Sequence, residues 1–387
     1  MKRMLALILC VLFFGTVGVA PVAAAAADGA GVTVKAKAAV LMDVATGTVL
    51  YEQAMHDRLY PASVTKVMSL LLVMEALENG TLSLTDEVTA SADAAAKGGS
   101  QIWLKEGETM TVDDLLKATV IGSANDACCA LAEKIAGSET AFAVRMNERA
   151  AQLGMNDTHF VNCTGLDDDT TDHLTSAYDV AVMSRALLGH DAIRNYSTVW
   201  MDSLRGGETE LVNTNKLVRF YEGTTGLKTG TTSKAGCCIA ASAEREGLHL
   251  IAVILGAENS SDRFEGAKAL LNWGFATFET ILPAVDPLLL ADVTVLGGTE
   301  TCVTPVPTAI PKLTIQKTMK GHLAPVVTLP VDVEAPVAAG QILGRIDFVA
   351  DGKTLASCDL AAQTVVPRRT FADAIRWTLA SLTRRAA

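Results

Sequence analysis

Three short motifs stand in order along the 387-residue chain: Ser63-Val64-Thr65-Lys66, Ser123-Ala124-Asn125 and Lys228-Thr229-Gly230. Each occurs once. Ordinary composition would give a chain of this length roughly one of each of the first two patterns and about 0.1 of the third by accident, so the ordered set says more than any member. The chemistry on offer is that of an activated hydroxyl. A serine needs a neighbouring base, and a lysine serves as one only when desolvation or a second cation lowers its pKa. Lys66 follows Ser63 by three residues, one helical turn on and on the same face. Lys228 is the candidate second cation. Pro61 presets a helix entry and puts Ser63 at or near the first turn. Unpaired amides and the positive dipole end there favour an alkoxide and an acyl oxyanion.

Other chemistries find little support. The six histidines, at 56, 159, 173, 190, 249 and 322, are scattered. Neither Gly-x-Ser-x-Gly nor His-Glu-x-x-His occurs, which argues against a histidine-based triad or a zinc hydrolase. No metal or cofactor is expected. Asp167, Asp168 and Asp169 between His159 and His173 read as a solvated loop. Arg263 is open to three parts: orienting the site, binding substrate or forming a structural salt bridge. Eight cysteines include the adjacent pairs Cys128-Cys129 and Cys237-Cys238 but no Cys-x-x-Cys. Neighbouring side chains diverge, so these read as small buried apolar residues. Half of the residues are apolar and 19% are charged, which excludes a disordered chain. The formal net charge is -11 and the main body has no Lys/Arg-rich block, a poor balance for binding nucleic acid.

The motifs and their surroundings resemble the low-molecular-mass penicillin-binding proteins, the serine D-alanyl-D-alanine carboxypeptidases. The likeness takes in residues 51–69, Gly99-Ser100-Gln101 with Leu104 and Gly107, and residues 123–127. It continues through residues 162–167, 213–217 and 226–231 and Asp262-Arg263-Phe264, and is close over 34–278. It implies a mixed α/β fold: a penicillin-binding transpeptidase-like (β-lactamase-like) catalytic domain, a small C-terminal all-β domain and a terminal amphipathic helix. It implies Ser63 as the acylated nucleophile, Lys66 as its general base and Ser123 as the hydroxyl relaying protons to the leaving amine. Asn125 would hold the substrate's peptide amide. Lys228 and Thr229 would face the terminal carboxylate, beside Gly230, with the amides of Ser63 and Thr231 forming the oxyanion hole. Ala124 stands where this family often has glycine. The implied partners are peptidoglycan stem peptides, β-lactam antibiotics and a membrane surface. The implied activity is removal of the last D-Ala, with cross-bridge endopeptidase action as the near alternative. A class A β-lactamase would need Glu-x-x-Leu-Asn. The nearest string, Glu208-Thr209-Glu210-Leu211-Val212-Asn213, fails it by one residue.

Positioning such groups takes ordered elements. Residues 34–49 open as a hairpin with a turn at Thr46-Gly47. Val67, Leu70, Leu71, Met74 and Leu77 recur at helical spacing until Asn79-Gly80. Thr111 caps a helix over 112–121, with Asp113 and Asp114 in its first turn. Further helices are expected over 126–135, stopped by Gly137, and 139–153, stopped by Gly154. Strands over 236–243 and 248–255 flank a polar turn, and a helix follows over 261–278. Near Pro283 the composition shifts: nine of eleven prolines lie from there on. Short β-rich stretches follow, with a hairpin around Asp351-Gly352.

The ends differ from the body. Lys2 and Arg3, an apolar run over 4–14 that includes Cys10, and small residues before Asp28 read as an export signal, 1–27. Its loss takes two positive charges from -11 and leaves -13. The expected divisions are then a catalytic domain over 28–282, a β-rich domain over 283–367 and a basic helix over 368–387. In that helix Phe371, Ile375, Leu379 and Leu382 share one face. Arg368, Arg369, Arg376, Arg384 and Arg385 against Asp373 give a net +4. Such a helix suits a membrane surface and places the protein outside the cytoplasmic membrane.

Overall fold

The computed structural model describes residues 31–373 and 375. The expected export signal, with Cys10, and the tail residues Arg376, Leu379, Leu382, Arg384 and Arg385 lie outside the described residues. Within them the chain builds a five-stranded sheet from β1 (Ala38–Asp43), β2 (Val49–Gln53), β3 (Thr224–Thr232), β4 (Gly236–Arg245) and β5 (Leu248–Ala257). Its order is β2-β1-β5-β4-β3, antiparallel throughout. The long apolar runs of β1 and β5 reflect burial on both faces. Val40, Met42, Ile251, Val253 and Leu255 face one core, while Ala39, Leu41, Leu250, Ala252 and Ile254 face another, the period-2 alternation of a strand. Glu246 and Gly247, both at positive φ (49° and 80°), close the β4–β5 hairpin in the primed-turn geometry that matches strand twist.

Six helices of nine or more residues pack on this sheet among the described residues: α1 (Lys66–Glu78), α2 (Val112–Val120), α3 (Asn125–Ala136), α4 (Glu139–Gln152), α5 (Ala177–Leu188) and α6 (Ser260–Thr277). The first five share the larger core, and α6 covers the opposite face through Phe264, Leu270 and Leu271. Their ends follow local chemistry. Thr111 accepts the Asp114 amide at 3.2 Å, Ser138 the Ala141 amide at 3.1 Å, and Gly137 ends α3 at φ 81°. α1 is apolar on nearly all sides because it runs through the core, so the polar residues Lys66 and Ser69 are buried with it.

After α6, the strand Phe278–Ile281 pairs with Leu313–Gln316, so β-rich pairing begins ahead of Pro283. A four-stranded sheet of Pro305–Pro307, Lys353–Ala362, Ile342–Ala350 and Ala324–Thr328 follows, with Asp351 and Gly352 turning its hairpin at φ 49° and 75°. Ile346, Phe348, Cys358 and Leu360 fill its core. At the end of the described chain, residues 371–373 are helical and Thr370 accepts the Asp373 amide at 3.3 Å.

Candidate active site

Ser63 lies in a 3-10 turn, Ala62–Thr65, that runs straight into α1. Ala62 holds φ 49°, a left-handed value that costs a residue with a Cβ on the order of 1–3 kcal/mol. Two glycines hold the turn in place. A Cβ on Gly165 would come within 1.8 Å of the Ala62 carbonyl oxygen, and one on Gly230 within 2.7 Å of the Ser63 nitrogen. The glycine of the third motif is therefore a steric necessity, letting β3 lie against the backbone of the nucleophile.

Lys66 is fully buried. Its Nζ is 3.0 Å from Ser63 Oγ, 2.5 Å from Asn125 Oδ1 and 3.0 Å from the Thr164 carbonyl oxygen. Two of these partners are carbonyls, which only accept. A neutral amine has two N–H bonds and one lone pair. Donation to Asn125 and Thr164 thus leaves the lone pair facing the Ser63 hydroxyl. Burial lowers the Lys66 pKa to about 8, against the opposing pull of Cys128, Cys163 and Asp126. The sequence reading gave Lys228 the part of a second cation beside Lys66, and the two buried lysines do repel each other. Burial pushes Lys228 well down, and the charges of Lys66 and Arg263 push it further.

The second motif forms the opposite wall. Ser123 holds φ 61°, and Asn125 opens α3. The Asn125 carboxamide is shared: its oxygen accepts from Lys66, and its Nδ2 donates to the Gly98 carbonyl at 2.7 Å. Its backbone N–H donates to the Ser100 carbonyl at 2.7 Å. Asp126, which the sequence reading passed over, accepts the Ile102 amide at 3.1 Å and the Leu104 amide at 3.0 Å. It fixes the loop that Asn125 touches.

The third motif occupies β3, an edge strand. Lys228 Nζ donates to the Thr229 carbonyl at 3.0 Å, and Thr229 Oγ1 donates to Thr214 Oγ1 at 2.8 Å. Arg263 reaches from α6 to Gly230 O at 3.0 Å, Thr231 Oγ1 at 3.1 Å, Cys238 O at 3.3 Å and Ser260 Oγ at 3.0 Å. It pairs with no carboxylate among the described residues. The salt-bridge option is therefore not taken up; Arg263 braces the strand. Lys66, Lys228 and Arg263 together make a buried cationic group whose hydrogen-bond partners are all uncharged.

Two residues needed a different reading. Asp167 is buried rather than solvated and accepts from Thr232 Oγ1 at 2.6 Å, whereas Asp168 and Asp169 are exposed. His173 accepts the Val161 amide at Nδ1 (3.0 Å), so its Nε2–H donates to Thr65 Oγ1 at 2.8 Å. Burial holds this ring neutral, with a pKa of about 4. It steadies the residue next to Lys66.

Comparison with known proteins agrees with this geometry. Residues 22–259 match the D-alanyl-D-alanine carboxypeptidase family model, and 278–368 match that of the penicillin-binding protein 5 C-terminal domain. The chain is 37% identical over 393 residues to the carboxypeptidase DacF of Bacillus subtilis, covering 99% of this chain and all of that one. It is 36% identical to DacC of Escherichia coli over 84% of this chain and 82% of that one. Penicillin-binding protein 5 of Haemophilus influenzae superposes with a TM-score of 0.79 at 30% identity, over 87% of this chain and 98% of that one. Penicillin-binding protein D2 of Listeria monocytogenes in its cefotaxime-bound form gives 0.59 at 32% identity, over 63% of this chain and 98% of that one.

The clamp on the Ser63 turn is testable. Gly165→Ala places a methyl group against the Ala62 carbonyl. Displacing a reacting group by about 1 Å costs on the order of 10²-fold, so penicillin acylation followed by stopped flow should slow by about that factor. Circular dichroism checks that the fold persists, and an unchanged acylation rate in a folded variant contradicts the clamp.

Proposed function

The chain belongs to the D-alanyl-D-alanine carboxypeptidase family, and from that premise we propose how its residues divide the work. The enzyme is a serine-type D-alanyl-D-alanine carboxypeptidase that removes the terminal D-Ala of peptidoglycan stem peptides through an acyl-enzyme and is acylated by penicillins. Ser63 Oγ attacks the carbonyl carbon of the penultimate D-Ala while Lys66 Nζ takes its proton. The amides of Ser63 and Thr231 hold the oxyanion that forms. The C–N bond then breaks as Ser123 gives its proton to the departing amine and takes one from the Lys66 ammonium, so that free D-Ala departs, an ester remains on Ser63 and Lys66 is neutral again. Water, deprotonated by Lys66, hydrolyses that ester. Lys228 and the Thr229 hydroxyl receive the terminal carboxylate, and Gly230 lets the strand approach the turn. Asn125 aligns the substrate's amide and holds Lys66.

The observation that carries this division is the Lys66 amine. It is dry, bonded to two carbonyls and 3.0 Å from Ser63 Oγ. The cationic group supports the carboxylate site. An entering anion finds a positive region without a counter-ion, and its charge favours the protonated form of Lys228.

The protein acts on the cell-wall side of the membrane. No helix among the described residues is long and apolar enough to cross a membrane. The tail beyond Pro367 is the proposed tether to the membrane's outer face. Phe371 is 83% exposed and stands among five arginines, a combination that favours anionic lipid.

Four outcomes are expected. The rate constant for acylation should rise with pH, reach half its maximum near pH 8 and level off above that, because Lys66 is a base only when neutral and its pKa is about 8. Lys66→Arg, cationic at every working pH, should acylate about 10²–10⁴-fold more slowly; near-normal acylation removes Lys66 from the role of base. Lys228→Ala should shrink the preference for a free-acid peptide over its C-terminal amide by about 30-fold or more, since losing one partner of a buried charge pair costs roughly 2–5 kcal/mol. An unchanged acid-to-amide ratio of kcat/KM excludes the carboxylate role. A chain ending at Pro367 should release D-Ala from short peptides at the full rate and float free of anionic vesicles. If the longer protein also ignores such vesicles, the tether is wrong.

A further inference from the structure

Trp103 is 75% exposed and holds φ 61°. An exposed indole gives up burial, and a left-handed backbone at a residue with a Cβ costs on the order of 1–3 kcal/mol. The loop is not lax. Ile102 and Leu104 on either side are buried, with their amides held by the buried Asp126 carboxylate at 3.1 and 3.0 Å. The indole alone is turned outward.

It forms one wall of a groove of about 600 Å³, a size that suits a ligand of two or three rings. The other wall is the hairpin of Met201–Leu204 and Thr209–Val212 with its connecting turn, which carries Arg205 and Glu208. Both walls are anchored at the second motif. On one side, Asn125 N–H donates to the Ser100 carbonyl. On the other, Leu211 lies 3.2 Å from where a Cβ on Gly122 would stand, and Thr214 N–H donates to the Ile121 carbonyl at 3.2 Å. Arg205 joins the walls, donating to the Ile102 carbonyl at 2.9 Å and Glu108 at 2.7 Å. Both walls are thus held by the segment around the Ser123–Asn125 turn, although no residue of that turn lines the groove itself.

Its chemistry selects among ligands. Glu108 neutralises Arg205, which leaves Lys105 against Glu106 and Glu208, a balance unfavourable to a carboxylate ligand. A flat indole face suits the C–H face of a pyranose ring, whose edge hydrogens are electropositive. The glutamate oxygens can accept from sugar hydroxyls. We propose that Trp103 and this groove form a saccharide subsite that takes the neutral amino-sugar unit of the glycan from which the stem peptide hangs. The inference deepens the carboxypeptidase reading and rests on it.

The test compares kcat/KM for D-Ala release from diacetyl-Lys-D-Ala-D-Ala and from a disaccharide-pentapeptide. Wild-type protein should prefer the glycan-bearing substrate, and Trp103→Ala should cut that ratio about tenfold, while Trp103→Phe, which keeps an aromatic face, retains most of it. Circular dichroism confirms folding, and if the alanine variant does not fold, Trp103→Leu reads the same ratio. A folded, active alanine or leucine variant with an unchanged ratio overturns the subsite and leaves the indole to a protein partner. Release of D-Ala from neither substrate by wild-type protein overturns the carboxypeptidase reading, and the subsite with it.

Discussion

An amine without water sets the terms for the rest of this molecule. Burying Lys66 destabilises its charged form and, against the opposing pull of Cys128, Cys163 and Asp126, brings its pKa to about 8. The burial is possible because α1 runs through the larger core and because two carbonyl oxygens, from Asn125 and Thr164, take the amine's hydrogens. Remove either carbonyl and a buried donor is left unmet, at a cost of roughly 1–3 kcal/mol. The surrounding elements can be understood as the means of delivering these two oxygens and one hydroxyl to one point. α3 brings Asn125, the loop pinned by Gly165 brings Thr164, and the strained Ala62 turn brings Ser63.

The same logic orders the cations. Three basic side chains meet in a buried region, and burial together with the charges of Lys66 and Arg263 lowers the Lys228 pKa. Arg263, bonded to strand carbonyls and hydroxyls, remains the fixed positive charge behind β3. A substrate bearing a carboxylate relieves the repulsion, whereas an uncharged terminus does not. In the proposed carboxylate site, preference for a free C-terminus would follow from a basic group that the sheet and α6 hold without a counter-ion.

Much of this was legible in the sequence, and the rest was hidden for identifiable reasons. α1 showed its period, α2 its Thr111 cap, and α3 and α4 their stops at Gly137 and Gly154, while Asn79-Gly80 and Asp351-Gly352 punctuated the chain where the backbone turns. The motif order disclosed Ser63, Lys66, Ser123, Asn125 and Lys228, and the structure brings Ser63, Lys66 and Asn125 into direct contact. β3 was not foreseen as a strand, since Thr224–Thr232 is rich in glycine and threonine and lacks apolar alternation. Thr164 escaped because a backbone carbonyl has no residue-type signature. Asp126 and His173 escaped because their partners are amides and a hydroxyl far off in sequence.

The most direct test of the central claim is to titrate Lys66 itself. Lysine labelled with ¹³C at the ε-carbon gives one NMR signal per side chain, and the signal absent from Lys66→Arg is that of Lys66. The account predicts that this signal titrates with a midpoint near pH 8 in the free enzyme. A midpoint near 10.4, the ordinary lysine value, would mean that the amine stays charged beside Ser63 and would contradict its role as the base.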